Sequence, residues 1–168
     1  MRRNGFTLVE MLITLALIAV LMTLAWQQWD VQVRKVAIEA QTRKLLTDLL
    51  KARADALYQR RPCSVVVRGD GLQYSVYSSV ATDSSVAALS VVDLKYQLVT
   101  SGATPIGFDE RGLLMNDAAN AGACICVSAG NNSSSVDSLV LSNARIQIGK
   151  WTVSGGSASD CTADKITR

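Results

Sequence analysis

Histidine is absent from the 168 residues of the chain. This absence removes the side chain that most often acts as a general acid or base and as a metal ligand. The sequence also has no Gly-x-x-x-x-Gly-Lys loop that would cradle a nucleotide phosphate. Serine, aspartate and lysine are common, but no spacing pairs a nucleophile with a base. The sequence therefore predicts no catalytic residue, no metal site and no cofactor.

Proline and glycine are both absent between Phe6 and Arg61, so nothing in that stretch obliges a helix to stop. Ionisable residues are absent between Glu10 and Asp30. This uncharged run of about 19 residues, at about 1.5 Å per residue, reaches about 28 Å and can cross the hydrocarbon core of a membrane. It is too long for a cleaved secretory signal, and no small-residue cleavage site follows it. The sequence therefore predicts a retained transmembrane helix at residues 6–29.

The basic residues around this run predict its orientation. Arg2 and Arg3 precede it, and the next basic residue is Arg34. Because positive charge favours the cytoplasmic side, we expect the N-terminus in the cytoplasm and the rest of the chain on the far side. Trp26 and Trp29 lie where an interfacial aromatic belt is expected on that side.

Glu10 is the one charge within the apolar run, and a carboxylate in lipid costs roughly 2.5–3.5 kcal/mol. The residues from Gly5 to Glu10, Gly-Phe-Thr-Leu-Val-Glu, resemble the processing site of type IV prepilins and type II secretion pseudopilins. The resemblance implies that a prepilin peptidase removes a leader of residues 1–5 by cutting after Gly5. It also implies that Phe6 becomes N-methylated and that Glu10 is needed for assembly. In a helical bundle, the α-amino group of a neighbouring chain can neutralise this carboxylate.

Residues 30–61 are predicted to continue the helix with one buried face. The apolar positions are Val31, Ala37 with Ile38, Leu45, Leu49, Ala52 and Ala56 with Leu57. The basic residues expected opposite them are Arg34, Lys35, Arg43, Lys51 and Arg53. This basic face either contacts anionic lipid or neighbouring subunits, or is only solvated. The helix is expected to stop at Arg60-Arg61-Pro62.

Residues 62–168 predict a β-rich head, because short β-branched runs alternate with Gly, Ser, Asn and Asp turns. A Gly-Asp-Gly sequence at residues 69–71 is a hairpin signal, and residues 129–135 are expected to form a turn or a flexible loop. The strand candidates are residues 63–68, 72–78, 91–100, 106–108, 113–115, 124–128, 136–141 and 146–153. An antiparallel sheet packed on the apolar face of the helix predicts an α+β fold.

Two further segments are similar to the FimT/GspH-type minor pilins. They are the helix end, residues 52–56 with 59–61, and the Phe-Asp-Glu-Arg-Gly segment at 108–112 with the two leucines that follow. The resemblance implies a type IV pilin-like fold and a low-abundance subunit that acts in filament initiation or at the tip. It implies other pilin or pseudopilin subunits, an inner-membrane assembly platform and the lipid bilayer as partners. It also implies a periplasmic head that later becomes part of a filament. A type IV pilus and a type II secretion pseudopilus both remain open.

Four cysteines follow the span, and an even number in an oxidising compartment favours disulfides. They are Cys63, Cys124, Cys126 and Cys161. Zinc is less favoured, because Cys-x-Cys with two distant cysteines lacks the usual paired spacing. On a strand, Cys124 and Cys126 point to the same face, and their Cα atoms are about 7 Å apart. That separation is near the upper limit for a disulfide between them. We expect one of them to bond Cys161 and the other to meet Cys63, with free buried thiols as the alternative.

The segment around Arg145 occupies the place where some members of the resembled family carry Gly-Arg-x-Arg, a DNA-binding motif of natural transformation. Here Ala144 and Gln147 replace the glycine and the second arginine, which leaves Arg145, Lys150 and Trp151 as candidate DNA-binding residues. The head has nine acidic and seven basic residues, which is a weak electrostatic footprint for nucleic acid. DNA capture is therefore the alternative function, and an architectural role is preferred.

Overall fold

The computed structural model describes residues 7–79, 86–102, 104–115, 122–130, 132–143, 145–153 and 155–168. In this part of the chain one long helix, α1 (Leu8–Gln59), precedes nine strands. The strands are β1 (Cys63–Val67), β2 (Gln73–Tyr77), β3 (Ser90–Asp93), β4 (Gln97–Thr100), β5 (Ile106–Phe108), β6 (Cys124–Ser128), β7 (Ser138–Ser142), β8 (Arg145–Trp151) and β9 (Ile166–Thr167). The chain divides into two compact units, Met1–Arg34 and Lys35–Arg168, the second of which we call the head unit.

The first unit consists, in its described part, of the first half of α1. Its apolar side chains point outward: Leu8, Leu12, Leu21 and Trp26 are all more than half exposed. By length and composition, α1 is apolar enough to cross a membrane. The apolar half of the helix therefore fits a membrane anchor for an exposed head.

The head unit begins with the second half of α1, which buries one face. This face is formed by Ile38, Thr42, Leu45, Leu49, Ala52 and Ala56. Spacings of four and three residues keep these side chains together, because an α-helix turns once in about 3.6 residues. The one polar member, Thr42, donates its hydroxyl to the Ile38 carbonyl oxygen at 2.9 Å. Because this bond satisfies the hydroxyl, Thr42 lies within the buried face without an unpaired donor.

The helix ends at Gln59, two residues before the predicted stop. Arg60 has a positive φ of 49°, and the Arg61 N–H donates to the Ala56 carbonyl oxygen at 3.3 Å. This left-handed residue followed by a long backward hydrogen bond is a common way to satisfy the last carbonyls of a helix. Pro62, which cannot continue a helix, then leads into β1.

The strands form two antiparallel sheets rather than the single sheet that the sequence predicts. The first has the order β3-β2-β1-β5 and the second has the order β4-β6-β7-β8-β9. The buried face of α1 packs in one hydrophobic core with Val65 and Tyr74 of the first sheet and with Ile125 and Leu139 of the second. One helix face thus closes both sheets, and the predicted α+β class is confirmed.

A polar bond also joins the helix to the first sheet. The buried Tyr74 phenol donates a hydrogen bond to Asp48 Oδ2 on α1. Burial, and then this bond to Asp48, raise the pKa of the Tyr74 phenol well above its usual value. The pair therefore holds β2 against the helix with the phenol protonated.

The two sheets meet at the hairpin between β1 and β2. The predicted Gly-Asp-Gly turn is confirmed, because Gly71 N–H donates to the Arg68 carbonyl oxygen at 2.8 Å. Leu98 of β4 donates its N–H to the Gly71 carbonyl oxygen at 2.7 Å. Gly71 has a φ of +68°, and a Cβ there would overlap the Leu98 carbonyl oxygen. Both the backbone conformation and the close approach therefore require glycine at this position.

The single strand predicted at residues 91–100 is wrong, because the segment supplies β3 to one sheet and β4 to the other. The change of sheet occurs at Tyr96, whose backbone is bound by a helix side chain. Gln41 donates its amide to the Tyr96 carbonyl oxygen at 2.7 Å and accepts the Tyr96 N–H at 3.1 Å. The amide of Gln41 thus replaces the hydrogen bonds that a neighbouring strand would make.

The strand predicted at residues 113–115 is also wrong, since Leu114 forms only an isolated bridge with Phe108. Asp109 organises the turn between them. Its Oδ1 accepts the N–H groups of Arg111 and Leu113 at 2.9 and 2.8 Å. These bonds, the Leu113 one foremost, hold the pKa of the Asp109 carboxyl below its usual value. The remaining predicted strands are present, and their ends agree with the prediction to within two residues.

The buried face of α1 leads to a prediction for stability. Leu49 is fully buried while its neighbour Leu50 is 45% exposed. Leu49→Ala should lower the free energy of unfolding by about 2–5 kcal/mol, because it removes core contacts and leaves a cavity. Urea unfolding of the detergent-solubilised full chain, followed by circular dichroism, measures the change. Leu50→Ala is the matched control and should cost less than about 1 kcal/mol; equal effects of the two substitutions would contradict this packing.

Candidate functional site

The predicted processing residues, Gly5 and Phe6, lie outside the described residues. Glu10 lies in the first turn of α1, and its side chain is exposed. Its backbone N–H donates to Thr7 Oγ1 at 3.3 Å, so Thr7 caps the start of the helix. A carboxylate in the first turn also interacts favourably with the helix dipole. In the first unit, the Glu10 carboxylate therefore lies at the start of a helix whose apolar side chains are exposed.

The head unit leaves a second row of α1 side chains exposed, on the side away from the core. This row, the outer stripe, consists of Val36, Ala40, Arg43, Thr47, Leu50, Ala54 and Leu57. Its spacing alternates between four and three residues, which is the pattern of a helix that packs along another helix. The sequence pattern placed Val31 and Leu57 on the buried face, but they are 47% and 48% exposed. The regular alternation on this side was the signal that could have revealed the outer stripe.

The basic residues predicted opposite the core are distributed around the outer stripe. Arg43 lies within it and Lys51 lies on one flank, and both are exposed. Lys44, which was not among the predicted residues, lies on the same flank and is also exposed. Lys44 Nζ is 3.8 Å from Asp48 Oδ2. Arg53 and Lys35 are half-buried, so the predicted basic face is only partly solvated. The outer stripe is therefore apolar along most of its length and is bordered by positive charge.

The tail of the head unit is attached to the second sheet by a disulfide between Cys126 and Cys161. Cys124 and Cys126 pack on one face of β6, while Ile125 and Val127 pack on the other face in the main core. This alternation follows from the two-residue period of a strand. The prediction that one of the two β6 cysteines bonds Cys161 is thus confirmed, and the structure selects Cys126.

The second expected pair, between Cys63 and Cys124, is not formed, and both residues carry free buried thiols. The reason is their placement. Cys63 packs in the main core beneath α1, whereas Cys124 packs in a separate cluster with Trp151 and Cys161. Burial is the largest cause that raises the pKa of both thiols, so little thiolate is present at neutral pH.

A buried carboxylate organises the loop that precedes β7. Asp137 is 1% exposed, and its Oδ2 accepts hydrogen bonds from Lys150 Nζ at 2.6 Å and from Asn132 Nδ2 at 2.7 Å. Its Oδ1 accepts the backbone N–H of Trp151. Asn132 in turn accepts the N–H and hydroxyl of Ser134 through its Oδ1. Asn132 and Ser134 of the predicted loop at 129–135 are therefore held in place by side-chain hydrogen bonds.

The three candidate DNA-binding residues all lie on β8 but do not form one surface. Arg145 is exposed. Lys150 is bound to Asp137, as described above. Trp151 is 1% exposed and donates its indole N–H to the Asp160 carbonyl oxygen at 3.0 Å, so its ring offers no face to a base. The arrangement leaves Arg145 as the one exposed cation of the three.

The disulfide leads to a prediction for stability and for which cysteines carry free thiols. Cys161→Ser should lower the free energy of unfolding by about 2–4 kcal/mol, because it opens a closed loop of 35 residues in the unfolded chain. Urea unfolding of the full chain measures this, with Cys124→Ser as the unbridged control that should cost less. Non-reducing peptide mapping after denaturation should find alkylated Cys63 and Cys124. A peptide that links those two residues would contradict the assignment.

The Asp137 network predicts that Lys150 stabilises the fold. Lys150→Met should lower the free energy of unfolding by about 3 kcal/mol, because it leaves the Asp137 charge buried without its cation. Arg145→Met, a matched loss of charge on the same strand, should change stability by less than about 0.5 kcal/mol. Thermal unfolding of both variants compares them. Equal stability of the two variants would show that the 2.6 Å pair does not stabilise the head.

Comparisons with known proteins agree with this geometry. Residues 1–26 match the family model described as the prokaryotic N-terminal methylation motif. Two crystal structures of the type IV minor pilin FimU from Pseudomonas aeruginosa share the fold. The first is 21% identical with a TM-score of 0.57 and covers 72% of this chain and 94% of its own. The second is 21% identical with a TM-score of 0.56 and covers 71% and 98%.

No curated protein sequence matches the chain at a significant level. The fold shared with FimU is that of a type IV minor pilin. The chain therefore combines a prokaryotic N-terminal methylation motif with the fold of a type IV minor pilin.

Proposed function

We propose that the chain is a minor pilin or pseudopilin, a low-abundance structural subunit of a type IV pilus or of a type II secretion pseudopilus. A prepilin peptidase cuts after Gly5, and Phe6 becomes the N-methylated first residue of the mature protein. The mature subunit is anchored in the inner membrane through residues 6–29, with its head in the periplasm. An assembly platform then moves it into a filament, where it acts in initiation or at the tip.

The observation that carries this proposal is Glu10, the one carboxylate within the apolar run of α1. An ionised group in lipid is costly when it has no partner, and plain anchoring has no use for it. In a bundle of helices, the positive α-amino group of a neighbouring subunit offers a partner at low dielectric constant. Glu10 then favours one register between subunits, since any other register leaves a buried charge without its counter-ion.

The outer stripe supports the same proposal from the head unit. A solitary protein gains nothing from leaving Val36 and Leu50 exposed on the same side of the helix. A helical filament buries such a row, because a head-to-tail contact that does not close produces an open helical assembly. Other pilin or pseudopilin subunits are therefore the expected partners.

DNA capture on the filament has less support. Of its three candidate residues, Lys150 is engaged with Asp137 and Trp151 is buried. Affinity for DNA grows with the number of phosphates that cations neutralise, and Arg145 alone neutralises few. The structural role is therefore preferred.

Replacement of Glu10 tests the proposal. Glu10→Ala should reduce the amount of the protein in sheared filaments by about tenfold or more, because the partner amine is left without its counter-ion. Quantitative immunoblotting of the filament fraction, normalised to the membrane fraction, measures this. Terminal sequencing of the wild-type protein should begin at N-methylated Phe6.

Thr14→Ala is the matched control within the same apolar run. The Thr14 hydroxyl already donates to the Met11 carbonyl oxygen of its own helix at 2.9 Å, so its loss should leave incorporation unchanged. Equal incorporation of the Glu10 variant and the wild type, or a mature protein that begins at Met1, would refute the proposed function.

A further inference from the structure

The outer stripe has a spacing that selects the shape of its partner. Steps of four and three residues from Val36 to Leu57 describe a seam that repeats about every 3.5 residues. A seam of this period stays in contact with a second α-helix that winds slowly around the first. A flat sheet or a loop would meet only part of it. The outer stripe extends over about six turns of α1 and therefore fits a helix of similar length.

Arg43 sets the chemistry of that partner. It lies near the middle of the stripe, and no carboxylate of the described residues is within salt-bridge distance of its guanidinium. The neighbouring Thr47 hydroxyl donates to the Arg43 backbone carbonyl oxygen at 2.9 Å and carries no charge, so it does not neutralise the guanidinium. A helix that covers the stripe removes water from this guanidinium. Such burial is favourable only if the partner supplies a carboxylate opposite Arg43.

The flanks of the stripe point to the same sign of charge. Lys44 and Lys51 border one side, and Lys51 is exposed. Asp48 is directed inward, where it accepts the Tyr74 hydroxyl, while Asp55 is the exposed acid on this part of the helix. Glu39, four residues before Arg43, is half-buried and accepts the Ser135 N–H at 2.8 Å, and Asp48 lies 3.8 Å from Lys44. Arg43 in the stripe and Lys51 on its flank are therefore exposed cations without a salt bridge among the described residues. Complementary charge across an interface selects the partner and excludes like-charged competitors.

A second copy of this chain fits the outer stripe poorly. A two-fold contact would place the stripe against itself, and no member of the stripe is acidic. Arg43 would then meet a surface that is also bordered by lysines. The stripe thus disfavours self-association, which agrees with a subunit of low abundance.

Resting on the proposed function, we infer that the outer stripe is the docking surface for an acidic helix of a different filament subunit, with Arg43 pairing with a carboxylate of that helix. Arg43 is then the residue that determines partner and register in the head unit, as Glu10 does in the first unit. The pair forms when the subunits assemble, so a change of charge at residue 43 affects incorporation and leaves the fold intact.

Charge reversal in the full chain, expressed in the cell that assembles the filaments, tests the inference. Arg43→Glu should lower the amount in sheared filaments by about tenfold or more, because it places like charges across the contact. Arg68→Glu reverses an exposed charge on the β1–β2 hairpin, at a side chain that lies 3.8 Å from Asp70, and should change incorporation less than about twofold. Thermal unfolding of both variants should match that of the wild type, since both side chains are exposed.

A photoreactive phenylalanine analogue at position 47 identifies the partner directly. Crosslinking in the living cell should join the chain to a different subunit through a segment with an acidic residue, found by mass spectrometry. Replacing that acid by arginine should restore incorporation of the Arg43→Glu variant. A crosslinked product of twice the mass of the chain would overturn the inference, because the occupant would be a second copy. Crosslinking only to lipid, or no crosslink at all, would overturn it as well.

The two proposals fail separately. If wild-type protein enters filaments and depends on Glu10, but Arg43→Glu enters equally well, the inference about the outer stripe is wrong and the proposed function stands. If the wild type never enters filaments, the proposed function is wrong.

Discussion

The contact between one face of α1 and two sheets is the interaction on which the head unit depends. Neither sheet is paired to the other along its length, yet Leu45 and Leu49 pack in the same core as side chains from both. Gln41 extends this arrangement, because its amide holds the chain at Tyr96 where it leaves one sheet and enters the other. The helix therefore serves as the shared third layer of the fold, and its buried face determines where each sheet lies.

The same helix carries two faces with different purposes. The buried face has small and branched apolar residues that meet the sheets, and the outer stripe has an apolar row interrupted by Arg43. A helix that carries apolar residues on two sides is stable in a monomer only because its own head covers one of those sides. The uncovered apolar side is unfavourable in contact with water, and its burial on assembly is favourable. Glu10 and Arg43 share one physical property. Burial of either charge in an apolar contact is unfavourable unless a partner neutralises it.

Several side chains that suggested surface chemistry turn out to stabilise the head. Lys150 neutralises the buried Asp137, and Trp151 packs beside the disulfide while its indole N–H binds the Asp160 carbonyl oxygen. The sequence left their role open, because a cation next to an aromatic residue is compatible with a nucleic-acid-binding surface and with a buried polar network. The pairing of Lys150 depends on Asp137, which lies 13 residues away on the preceding segment. Sequence spacing carries no information about that contact.

The sequence by itself determined the apolar helix with its lone Glu10, the α+β class and the shared face of Cys124 and Cys126. These features depend on local periodicity and on the cost of burying charge, and both are properties of consecutive residues. Tertiary structure alone decided that residues 91–100 divide between two sheets, that Cys63 stays unbonded, and that Leu57 stays half-exposed beside Gly112 instead of joining the core. Each of these outcomes depends on which distant element lies opposite, and a helix with apolar residues on two faces does not itself say which face the core will cover.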